Sequence, residues 1–201
     1  MRFRTFLVGA LAAAALTGAA DLEGPHVKRL GRTVMRWSDD AVQVVVGYKH
    51  ASAHLDRKWI LLDVFVTSAS NRPVEIWRED VALALPDGTR VQMPSQRRMA
   101  EGVPDLRRVL NEAKVTRDPL GGYFPFTDWE ERLGFFAVPG EDIVFDKVTV
   151  NARTLAWGYV FFEAPKERWE KGVYTLVIEN RDVHVRLPLP LGIEGPLERV
   201  K

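Results

Sequence analysis

The chain has 201 residues, with 28 Lys and Arg against 27 Asp and Glu, and no cysteine. A net charge of +1 gives no field that would draw it to nucleic acid or to an anionic membrane. Without cysteine there is neither a disulfide nor an acylated lipoprotein cysteine, so stability has to come from a packed core.

The first twenty residues have the three parts of a secretory signal. Arg2 and Arg4 form the positive segment, and Phe6 to Leu16 is an uncharged apolar run, too short to span a bilayer. Thr17, Gly18, Ala19 and Ala20 supply the small residues that a signal peptidase reads. Cleavage after Ala20 would put Asp21 first and, by removing two arginines, turn the net charge to −1. The alternative is an uncleaved N-terminal anchor. The expected location is the periplasm or exterior of a bacterium, with no stable membrane insertion once the signal is removed. About 180 remaining residues suit one domain with a real core.

Residues 21–40 are polar, with Gly24, Pro25 and Gly31, and read as a lead-in segment with one short strand around Arg32–Trp37. The domain proper is expected over 41–201. Val42–Tyr48 is rich in β-branched residues, and Trp59–Thr67 is the strongest strand signal in the chain. Asn71-Arg-Pro73 reads as a turn before the alternating Val74–Trp77. Val81–Leu85, Pro86-Asp-Gly88 and Thr89–Met93 have the form of a β-hairpin.

Residues 97 to about 142 read as a helical insertion. Leu106, Val109, Leu110 and Ala113 follow the i, i+3, i+4, i+7 spacing of one helix face. Thr127-Asp-Trp-Glu130 fits a capping box, which predicts a second short helix to about Leu133, ended by Gly134. Strand character returns over Ile143–Val150, Ala156–Phe162, Gly172–Glu179 and Val183–Pro188. About eight strands with short turns indicate a β-sandwich. Trp59, Phe65, Trp77, Trp157 and Phe161 are its expected core members.

The run Trp59-Ile-Leu-Leu-Asp-Val-Phe-Val-Thr-Ser-Ala-Ser-Asn-Arg-Pro-Val74 resembles the opening of bacterial exported immunoglobulin-like domains. Leu83–Thr89 is similar to their next hairpin, and Gly158–Pro165 with Gly172–Ile178 to their closing strands. The resemblance covers roughly residues 40–95 and 143–188. It implies an all-β, immunoglobulin-like sandwich related to extracellular antigen-like domains, and it brings no catalytic residues. Two departures are the missing lipoprotein cysteine and the long stretch 97–142.

Candidate sites are few. His50 and His54 are four apart, a spacing that holds a metal on a helix, but the stretch Lys49–Arg57 reads as a loop and the expected state is solvated histidines. Asp118, Asp128, Glu130 and Glu131 gather near Trp129, as paired carboxylates do in glycoside chemistry, but the expected account is a capping box, with acids favouring a helix N-terminus. Asp39, Asp40 and Asp142 lack the spacing of a calcium loop. Arg97, Arg98, Arg107, Arg108, Lys114 and Arg117 are basic but interleaved with acids. The most informative group is aromatic: Tyr123, Phe124, Phe126, Trp129, Phe135 and Phe136. These rings either pin the insertion to the sandwich or form a partner-binding patch.

No nucleotide-binding, serine-hydrolase or zinc-protease motif is present, so no catalytic residue, metal or cofactor is assigned. The expectation is a non-enzymatic binding or accessory domain of the bacterial envelope, acting by recognition of an envelope protein partner or of a ligand. The alternatives are an envelope enzyme using the acids of the insertion, and an assembly component offering an exposed sheet edge.

Overall fold

The computed structural model describes residues 22–116, 118–124, 127–138 and 142–193. The signal-like segment therefore lies outside the described residues. The fold is predominantly β, with twelve strands in three sheets and three α-helices among the described residues.

The first sheet begins with strands β1 (Val27–Gly31), β2 (Val34–Ser38) and β3 (Val42–Gly47), joined by tight turns into an antiparallel meander. The stretch 21–40 thus contributes two paired strands rather than a lead-in with one. Asp39 makes the second turn possible: its Oδ1 accepts from the amides of Ala41 and Val42, and its Oδ2 accepts from the Trp37 indole. A short helix α1 (Lys49–Ala53) leads to β4 (Trp59–Ser68), which is buried along its whole length because both its faces are covered. Strand β10 (Thr154–Glu163) pairs antiparallel with β4.

Strand β8 (Trp129–Arg132) completes this sheet at its edge, in the order β1-β2-β3-β4-β10-β8, and runs parallel to β10. Here the structure departs from the expected capped helix. The Thr127 hydroxyl donates to the Phe124 carbonyl, and the amides of Asp128 and Trp129 donate to Arg153 O. Pairing with β10 satisfies the backbone that a four-residue helix would leave half open, so tertiary context overrides the local signature.

The second sheet has the order β12-β11-β6-β7. It consists of β6 (Val81–Ala84), β7 (Arg90–Gln92), β11 (Gly172–Glu179) and β12 (His184–Leu191). The Pro-Asp-Gly turn joins β6 to β7 as expected: Gly88 has φ 85° and Asp87 Oδ1 accepts from the Thr89 amide. Edge strand β12 carries Pro188 opposite Thr175 and Pro190 opposite Val173. A third, two-stranded sheet pairs β5 (Val74–Trp77) with β9 (Lys147–Val150). Alternation there turns Val74 and Ile76 inward, so Trp77 faces out, contrary to its expected place in the core. Lys147 Nζ lies 5.1 Å from its ring centroid.

One apolar core joins the sheets, drawing Val44, Leu62 and Val64 from the first and Leu83, Leu176 and Leu187 from the second. Trp59 and Phe161 belong to it. Phe65 is buried in a smaller cluster, with Trp157 packed partly exposed beside it. Helices α2 (Gln96–Glu101) and α3 (Val103–Thr116) pack over this body. α3 buries Leu106, Val109 and Ala113, the stripe read from the sequence.

Candidate functional site

The aromatic residues of the insertion do not form one patch. Phe124 is buried with Phe65, the ring centroids 6.3 Å apart, and Phe135 is buried in the main core. Phe136 packs edge-on against Phe161 at 4.9 Å. Tyr123 is partly exposed, whereas Trp129, on the edge strand β8, is 69% exposed. Phe126 lies outside the described residues. The group is therefore split between anchoring and display.

Phe135 and Phe136 line a crevice of about 510 Å³. Its lining includes Leu110 and Lys114 of α3, Trp157 and Tyr159 of β10, and Phe136 and Phe145. This volume falls in the range of sites that bury a small ligand or a few side chains. Gly134 shapes the outer lip. Its φ is 62°, and a Cβ there would sit 2.6 Å from Phe145 Cδ2, so only glycine lets the Phe145 ring lie across it. The Phe145 amide donates to Gly134 O at 2.8 Å. Ion pairing of Arg132 with Asp142 ties β8 to the same lip. Ile143 is 69% and Phe145 51% exposed, a cost in water that a folded chain ordinarily avoids for neighbouring large side chains. The sequence pointed to Phe135 and Phe136. It missed Ile143 and Phe145, which read as the start of a strand.

The acids of the insertion have separate tasks. Asp118 Oδ2 accepts from the Thr33 hydroxyl at 3.0 Å, and Asp128 pairs with Arg153. Glu130 and Glu131 are consecutive in β8 and so project to opposite faces. Among the described basic residues, Arg97 pairs with Glu101, Arg108 with Asp105, and Arg98 with both Glu101 and Glu163.

His50 and His54 differ from expectation. His50 lies on α1 and is only 5% exposed, and His54 caps that helix. The stretch is helical because α1 packs on β4 and α3, which the local sequence does not announce. α3 brings Glu112 to them: His50 Nε2 is 3.5 Å from Glu112 Oε2. Burial, reinforced by neighbouring His54, holds the His50 pKa below the ordinary imidazole value, and Glu112 opposes that shift.

No family model, curated protein or solved structure matches the chain.

Proposed function

We propose that this chain is an exported, non-enzymatic binding domain of a bacterial envelope, built as an immunoglobulin-like β-sandwich, whose crevice receives apolar side chains of an envelope protein. The observation that carries this reading is the exposure of Ile143 and Phe145 beside an apolar crevice. Exposed apolar surface continues to Val144 on the lip, and Trp129 stands exposed on the neighbouring edge strand. A small molecule inside the crevice would leave these side chains in water, whereas a protein surface would cover them. The charged groups at its margin, Lys114 and the Arg132–Asp142 pair, suit the polar rim of an interface.

Two observations weigh against the other readings. Asp118 and Asp128 are held by separate partners, Thr33 and Arg153, rather than facing each other as the paired carboxylates of glycoside chemistry do. The edge strand β8 is four residues long and carries Glu130, Glu131 and Arg132, a composition that discourages strand addition.

A photo-crosslinking residue placed at Phe145 in intact producing cells tests the proposal. One discrete adduct is expected from that position, lost on Ile143→Asp, and none from a control at Arg181 in the exposed β11–β12 turn. Equal labelling from both positions would refute a recognition surface at the crevice.

A further inference from the structure

We infer that His50, His54 and Glu112 form a binding site for a divalent transition metal of the zinc class, linking α1 to α3. One ligand atom from each of the three side chains lies within 4.8 Å of the other two. Both ring nitrogens of His50 are buried without a hydrogen-bond partner, and so is Glu112 Oε2. Leaving such groups poorly satisfied costs free energy, and here His50 Nε2 and Glu112 Oε2 face each other at 3.5 Å, longer than an ordinary hydrogen bond. A cation between them would satisfy both.

The surroundings prepare the ligands. Arg57 Nη2 donates to Glu112 Oε1 at 3.2 Å, which orients the carboxylate and leaves Oε2 turned toward His50. His54 Nδ1 lies 3.0 Å from the His50 carbonyl. Donation there fixes the neutral tautomer with a free lone pair on Nε2, the usual support for a histidine ligand. The two imidazoles stack with centroids 4.3 Å apart. Two imidazoles and one carboxylate make a ligand set suited to zinc, with a fourth position left for water. The site is separate from the crevice and would act as a staple between segments about sixty residues apart, in a chain without disulfides.

The test is Zn²⁺ titration of the tag-free, chelator-treated chain by calorimetry, with thermal melting in parallel. One zinc per chain is expected, raising Tm by roughly 5 °C or more at a hundredfold excess over Kd. His54→Ala and Glu112→Gln, both at partly exposed positions, should each weaken binding by about 100-fold or more while the chain stays folded. His184→Ala, at an exposed position at the start of β12, should leave it unchanged. Substoichiometric binding, binding weaker than about 100 µM, or affinity equal to wild type in both ligand variants would overturn the site.

Discussion

Glu163, at the end of β10, accepts from Arg98 Nε at 2.7 Å and from Arg98 Nη2, and lies 3.2 Å from Lys58 Nζ. These contacts pin α2 to the sheet. The hydrogen bonds from Arg98 hold its carboxyl below the ordinary value of 4.5. A depressed folded value means that the unfolded chain binds the proton more readily. The stabilisation is therefore present above about pH 4.5 and is lost as pH falls through the folded value. Glu163→Gln should cost about 1 kcal/mol at neutral pH, a modest figure because both partners are partly exposed, with no difference from wild type in strong acid. Urea melts at several pH values measure this. The aromatic residues give a second contrast. Phe124→Ala should cost about 3 kcal/mol, because a buried ring leaves a cavity. Trp129→Ala should leave the melting point within about a degree. Equal losses in thermal melts would show that Trp129 is structural.

At the scale of elements, Gly102 separates α2 from α3 at the point where they turn over Trp59. A Cβ at Gly102 would lie 2.9 Å from Trp59 Cζ2, in a buried ring with nowhere to move. Gly102→Ala should therefore destabilise by about 1–3 kcal/mol, measured by urea denaturation, although alanine is the better helix former. The elements most legible in the sequence were those whose pattern follows from burial alone. Trp59–Ser68 is an unbroken apolar run because both faces are covered, and α3 repeats its apolar residues because one face is. β8 was illegible for the opposite reason. All four of its residues are exposed, so no periodicity marks it, and its partner Thr154–Trp157 lies some 25 residues on. The candidate sites follow the same logic. Phe135 and Phe136 stood out by composition, but nothing near His50 in sequence announces Glu112, which arrives only through helix packing.

For the whole molecule, the proposed export route predicts a specific product. Intact mass measurement of the protein recovered from the envelope of producing cells should show a chain beginning at Asp21. A product retaining Met1 would indicate an anchor instead. A chain exported as proposed would fold among crowded neighbours, where open sheet edges invite strand addition. Pro188 and Pro190 have no amide hydrogen to offer, and in β12 they occupy alternate positions. Their backbone sites must face away from β11, along the outer rim of the four-stranded sheet. That rim is partly covered as well: Pro190 is buried, and β12 packs against β2 and α1. Missing donors and packed neighbours together leave the edge of β12 with little to offer another strand.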